Sequence, residues 1–98
     1  PFGPLVPILT FKTFDEVIKR ANDNDLGLCS YLYTNSMDKA HIGSEKLESG
    51  CVAVNTGVVA IAEAPFGGIK QTGYGREGGS GAIKDYLNVK YTHMGLKI

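Results

Sequence analysis

The sequence predicts an α/β fold: a parallel βαβαβ unit followed by a separate C-terminal strand. Three observations point there. Short apolar runs alternate with helical repeats between Leu5 and Asn55. The joints between them are short, as in crossover units whose helices cover a parallel sheet. From Leu87 to Met94 the period changes to two, the pattern of a half-buried strand.

The first strand is expected over Leu5–Phe11, an apolar run in which Pro7 favours an edge or an irregular start. Thr13-Phe-Asp-Glu16 is a capping box, in which the Thr13 hydroxyl takes the Glu16 amide and Glu16 reaches back. Phe14, Val17, Ile18 and Ala21 then mark one helical face, and Lys19 and Arg20 suit the helix C-terminus. Asn22 to Asp25 and Gly27 end it. Leu28–Thr34 is the second strand. Ser36 caps the second helix, whose packed face is expected at Met37, Ala40, Ser44 and Leu47, with Gly50 as its stop. Cys51–Asn55 is the third strand. Both crossovers are expected to be right-handed.

Thr56 to Arg76 shows no period, and an irregular stretch of that length in a compact domain is usually functional. A short helix is expected over Glu77–Tyr86, although Gly78, Gly79 and Gly81 each weaken it by about 1 kcal/mol relative to Ala. Leu87–Met94 follows as a one-faced strand suited to pairing with another sheet edge.

Composition narrows the function classes. The chain has 98 residues, with ten basic and ten acidic side chains and 43% hydrophobic content. That balance offers no electrostatic footprint for nucleic acid or an anionic membrane. No apolar run approaches the roughly 20 residues of a membrane span. Cys29 and Cys51 form no C-x-x-C and have no His at a ligand spacing, so no metal site is expected; both are read as buried, reduced thiols, with a disulfide between them as the alternative. His41 and His93 lack the neighbours of a catalytic triad. Asp15, Glu16, Glu45 and Glu48 are read as caps and solvated faces, and the five tyrosines form no stacking platform with basic residues.

The segment Gly73-Tyr-Gly75-Arg-Glu-Gly78 matches the spacing of a dinucleotide-binding turn. Its context does not. Ile69–Thr72 is not a strand core, and no acidic residue lies about 20 residues beyond the last glycine. A P-loop is excluded because Tyr74 and Gly75 stand where Lys and Ser/Thr are needed. A tight loop anchored by Pro65 and Phe66 accounts for the same residues.

The motifs together resemble the C-terminal signature of the NAD(P)-dependent aldehyde dehydrogenases. The residues that carry the resemblance are Pro65-Phe-Gly-Gly68, Lys70, Gly73, Gly75-Arg-Glu77, Tyr86 and Lys90. Phe2-Gly-Pro4, Ala21-Asn22, Gly27-Leu28, Thr34, Gly50 and Val54-Asn55 agree in order and spacing. Asn55-Thr-Gly57 and Glu77 to Tyr91 look most like the succinate semialdehyde branch or its glutarate semialdehyde relatives.

The resemblance implies that residues 1–86 are the C-terminal part of a catalytic domain and residues 87–98 an oligomerisation strand and tail. It also implies a longer enzyme, whose nucleophilic cysteine, water-activating glutamate and most of the cofactor domain lie upstream. The opening Pro-Phe-Gly-Pro without Met agrees with that expectation. Cys29 and Cys51 match no nucleophile position. The implied cofactor is NAD or NADP and the implied substrate an aldehyde, oxidised through a thioester. Phe2 matches the phenylalanine near the nicotinamide. Gly57, Ala60 and Phe66 match the tunnel for the aldehyde. Ala60 departs from the Ser that semialdehyde members often use to bind the substrate carboxylate. Leu87 to Leu96 matches the strand that builds a homo-oligomer. A cytoplasmic enzyme without a membrane or nucleic-acid partner is expected. The alternative is a stand-alone α/β binding or assembly module with no catalysis of its own.

Overall fold

The computed structural model describes residues 3–97. Helix α1 spans Phe14–Asn22 and begins at the predicted cap, where the Glu16 amide donates to Thr13 Oγ1 at 3.2 Å. The reciprocal bond lands one residue earlier than the capping box predicts: Glu16 Oε2 accepts from the Lys12 amide at 2.9 Å. That bond holds the Glu16 carboxyl below its ordinary pKa. Ile18 is buried, Phe14 and Val17 are half-buried, and Ala21 is exposed, so the packed face is narrower than expected.

Strand β1 is Leu26–Gly27 and strand β2 is Cys29–Leu32. Helix α2 spans Met37–Lys46, with Ser36 Oγ accepting from the Lys39 amide at 3.3 Å. Its packed face runs through Ala40, Gly43 and Leu47. Met37 and Ser44, expected to pack, are exposed; Gly43 takes their place because the Leu32 side chain and Phe14 press against it. Strand β3, Cys51–Val54, lies parallel to β2 with Cys29 opposite Cys51 and Leu32 opposite Val54. This β2–α2–β3 unit is one βαβ crossover, with Ala53 buried at its centre.

The second crossover is not formed. Residues 5–11 adopt no strand, and Val6 and Ile8 are each 84% exposed. The apolar run has no ladder partner among the described residues, although Arg20 Nη1 donates to Thr10 O at 2.8 Å and draws its end toward α1. A second pairing appears instead: strand β4, Ile69–Lys70, runs antiparallel to β1.

Lys70 ties this small sheet to both helices. Its Nζ donates to the carbonyls of Asn22 at 2.8 Å and Asn24 at 3.1 Å, at the C-terminal end of α1, and pairs with Glu48 Oε2 at 2.7 Å. Asn22 joins the ends of α1 and α2 by donating to Lys46 O at 2.8 Å and accepting from the Glu48 amide at 2.9 Å. Several residues that carry the family resemblance therefore act as structural pins.

The helix expected over 77–86 shrinks to a 3-10 turn, Ala82–Tyr86. Glu77 is drawn into an antiparallel bridge with Phe66, and Gly78 and Gly79 sit at φ 70° and 67°, which ends any helical path. Residues 87–97 form no strand among the described residues and are exposed throughout. The predicted alternation is present in the chemistry, but nothing pairs with it here.

The molecule is extended, 76 × 33 × 24 Å, with a radius of gyration of 19.4 Å. A compact domain of this length has about 13 Å. It exposes 8625 Å², against roughly 5400 Å² for a folded monomer of this mass.

Candidate functional site

The parallel pair β2/β3 opens at its C-terminal edge, the side where α/β sheets hold ligands. Asn55 shapes that edge. It sits at φ 56°, a left-handed conformation that Asn tolerates better than most residues. Its amide donates to Leu32 O at 2.8 Å. Its side chain accepts from the Thr34 amide at 2.9 Å and donates to the Thr34 carbonyl at 3.0 Å. These bonds act as one more rung of the ladder and send Thr56 and Gly57 outward.

The chain then turns at Ile61, where the Ala64 amide donates to its carbonyl at 3.3 Å. Phe66 and Glu77 exchange two backbone bonds of 2.7 and 2.8 Å, and the Gly79 amide donates to Ala62 O at 2.9 Å. These rungs fold the loop back on itself. A hollow of about 320 Å³ results, lined by Ala60, Ile61, Ala62, Phe66, Glu77 and Gly78. That volume lies at the small end of the range for ligand pockets. Its wall is mainly apolar, with Glu77 as the titratable side chain.

The structure thus brings Ala60 and Phe66 to one cavity. Gly57 lies apart from it, exposed, with the Tyr33 hydroxyl 3.9 Å from where a Cβ would stand. Phe2 lies outside the described residues. Tyr33 and Glu77 were not among the expected site residues. Tyr33 follows β2 at the C-terminal edge of the parallel pair, outside the hollow. Glu77 was masked by the helix expected to begin there.

Three larger hollows lie elsewhere, of about 460 and 390 Å³ beside the glycine loop and of about 1150 Å³ between the end of α1 and that loop. The lining of the largest of these includes Asn22, Asn24 and Lys70, which are already bonded to the protein itself. The 320 Å³ hollow is the better candidate because, of these hollows, it alone is lined by both Ala60 and Phe66.

The glycine loop is braced by its own arginine, and a hollow of about 460 Å³ opens beside Gly73, Tyr74, Gly75 and Arg76. Arg76 Nη1 donates to Gly68 O and to Gly75 O, each at 2.8 Å. The amides a phosphate cradle would need are taken by the backbone itself: Gly73 donates to Lys70 O at 3.3 Å, Glu77 to Phe66 O at 2.8 Å and Gly79 to Ala62 O at 2.9 Å. The chain continues into a five-residue 3-10 turn rather than an α-helix.

No group of three or more metal-ligating side chains occurs among the described residues. Cys29 and Cys51 are free and half-buried, less enclosed than the expected buried thiols. Burial, with the neighbouring Cys51 adding to it, pushes the Cys29 thiol above its ordinary pKa. That is the opposite of an activated nucleophile. No described helix is long and apolar enough to cross a membrane.

Comparison with known proteins follows the same lines. Residues 1–92 match the aldehyde dehydrogenase family. The chain is 46% identical over 94 residues to the mitochondrial succinate-semialdehyde dehydrogenase of Oryza sativa subsp. japonica, covering 96% of this chain and 18% of that one. It is 48% identical over 94 residues to the 3-sulfolactaldehyde dehydrogenase of Pseudomonas putida, covering 96% and 19%. A solved structure of an E. coli NADP-dependent enzyme superposes with a TM-score of 0.88 at 46% identity, over 97% of this chain and 20% of that one. The chain spans about a fifth of the length of the curated relatives it matches.

Proposed function

The chain belongs to the aldehyde dehydrogenase family, and from that premise we propose that it is the C-terminal part of an enzyme that oxidises a short semialdehyde to its acid. Residues 1–86 complete the catalytic domain, and residues 87–98 form the oligomerisation strand and tail. Ala60 and Phe66 wall the aldehyde tunnel, with Gly57 at its rim. Phe2 contacts the nicotinamide end of the cofactor.

The shared cavity of Ala60 and Phe66 is the observation that carries this reading. The substrate class draws support from the relatives: succinate semialdehyde and 3-sulfolactaldehyde both bear an anionic group on a short aldehyde.

Enzymes of this family use NAD or NADP. The described residues do not form a dinucleotide cradle, because the Gly73, Glu77 and Gly79 amides are bonded to the carbonyls of Lys70, Phe66 and Ala62 and the turn leads into a five-residue 3-10 turn rather than a helix N-terminus. The work of these residues is to shape the aldehyde end of the site and exclude water from it. The reacting thiol belongs to another part of the enzyme.

A self-contained binding module would bury its own strands. Here Val6, Ile8, Val89 and Tyr91 face solvent, and about 3000 Å² more surface is open than a folded monomer of this mass shows. That excess favours a segment packed against further protein.

The tunnel assignment has a specific test. Ala60→Ser in the full-length enzyme is expected to raise kcat/KM for a carboxylated aldehyde by about 5- to 30-fold, the worth of one added hydrogen bond of about 1–2 kcal/mol. An uncharged aldehyde of equal length is expected to be unaffected. Equal kinetics across such a pair would remove Ala60 from the pocket.

A further inference from the structure

Lys70 has a left-handed backbone, with φ at 57°. A residue with a Cβ keeps that conformation only when its surroundings hold it there. Here the side chain supplies the hold. An ammonium carries three N–H donors, and three acceptors meet this one: the Asn22 carbonyl at 2.8 Å, the Asn24 carbonyl at 3.1 Å and Glu48 Oε2 at 2.7 Å. The two carbonyls lie at the C-terminal end of α1, where a helix favours a cation. Glu48 lies just beyond α2.

The loop that Lys70 anchors carries Phe66. Phe66 and Glu77 exchange backbone bonds of 2.7 and 2.8 Å, and Arg76 donates to Gly68 O at 2.8 Å, so the loop is closed on itself. Closure fixes its internal shape. Its placement depends on the bonds that leave it. Gly67 and Gly68 have no side chains with which to anchor the neighbouring Phe66. The only bond there is a long one, 3.9 Å, from Cys51 Sγ to Gly67 O. The firmer attachments lie on the far flank. Strand β4 pairs with β1, the Gln71 amide donates to Asp25 O at 2.9 Å, and Thr72 Oγ1 accepts from the Gly27 amide at 2.8 Å. All of these engage the stretch Asp25–Gly27. Of the attachments, Lys70's alone ties the loop to the ends of both α1 and α2, and it is the loop's one ion pair among the described residues.

We propose that Lys70 is a positioning residue for the aldehyde tunnel: its anchor on three acceptors sets where Phe66 stands in the wall it shares with Ala60. The inference rests on the tunnel reading of Phe66. Lys70 does not line that hollow itself and acts through the loop. Loss of the ammonium leaves the loop hinged on Asp25–Gly27, and Phe66 loses its fixed place. A short aldehyde then loses the wall that orients it, whereas a bulky one gains room.

The test is steady-state kinetics of the full-length enzyme with a short and a bulky aldehyde of equal charge. Lys70→Gly removes the anchor and leaves a residue at ease with a positive φ, so backbone strain does not enter the result. The ratio of kcat/KM, short over bulky, is expected to fall about tenfold, the scale on which one methylene of pocket fit discriminates. The KM for the nucleotide is expected to stay unchanged. Phe66→Ala is expected to lower the same ratio, and Lys70→Gly added to Phe66→Ala is expected to lower it no further. A ratio unchanged by Lys70→Gly, or lowered equally with and without Phe66, would overturn the proposal. So would a matching rise in the nucleotide KM, which marks a general loosening. If Phe66→Ala itself leaves the ratio unchanged, the tunnel reading falls and this proposal with it. If Lys70→Gly does not fold, Glu48→Gln decides, since it takes the charge from one of the three acceptors. A lower ratio that depends on Phe66 supports the anchor. An unchanged ratio, or a drop independent of Phe66, overturns it.

Discussion

Replacing Gly50 with alanine is expected to destabilise the protein by about 3 kcal/mol or more, at or beyond the upper end of typical overpacking costs. Gly50 precedes β3, and its amide donates to Gly27 O at 3.0 Å. A methyl group there would be driven onto the carbonyl oxygen of Gly67 and come within 2.9 Å of Gly68 Cα. Both obstacles are backbone, so no side chain can swing aside. The Gly67–Gly68 stretch is itself clamped by Arg76, which donates to Gly68 O at 2.8 Å, and leads into β4. The clash would push the glycine loop off the parallel pair and deform the hollow between Ala60 and Phe66. Gly73 is the instructive contrast. Nothing lies within 4 Å of its missing Cβ, and only its φ of 117° disfavours a side chain. Gly73→Ala is therefore expected to cost about 1–2 kcal/mol. Denaturation of the two full-length variants side by side checks the difference. Equal losses would mean that close approach at Gly50 is not what holds the loop.

Val89→Asp is expected to break the assembly of the full-length enzyme. Leu87, Val89 and Tyr91 recur at every second position, with Asn88, Lys90 and Thr92 between them. Val89 is 102% exposed and Tyr91 83%, so these side chains bury little against the other described residues. In the proposed pairing with a second copy, its apolar face would become interior. A carboxylate placed there without a partner would weaken association by about 3 kcal/mol or more per interface, roughly a hundredfold. Asn88→Asp puts the same charge on the polar face and is expected to leave the assembly intact. Sedimentation of both variants separates the outcomes. An intact assembly with Val89→Asp would exclude this strand from the interface.

The parts of the fold legible in the sequence are those whose signals are local. Thr13 and Ser36 cap their helices with their own side chains, and these bonds are found where expected. The β2–α2–β3 unit follows from apolar runs joined by one helix. The antiparallel pair β1/β4 was not legible, because strands of two residues carry no period. The stretch from Glu77 to Tyr86 misled because its apolar residues have helical spacing. The bridge to Phe66 and the left-handed glycines that interrupt it depend on long-range pairing. Residues 5–11 and 87–96 have strand chemistry, but a strand also needs a partner edge, and no sequence pattern says where that edge lies. The candidate site divides in the same way. Ala60 and Phe66 meet because the Phe66–Glu77 rungs fold the loop, whereas Gly57 faces Tyr33 at the other end.

The most direct measurement is reduction of NAD⁺ or NADP⁺ by the purified full-length protein when a short carboxylated aldehyde such as succinate semialdehyde is added. It is followed by the absorbance of the reduced nicotinamide. Aldehyde-dependent reduction is expected, with one acid formed for each nucleotide reduced. A folded, assembled protein that reduces neither nucleotide with any short aldehyde, carboxylated or neutral, would contradict the dehydrogenase reading.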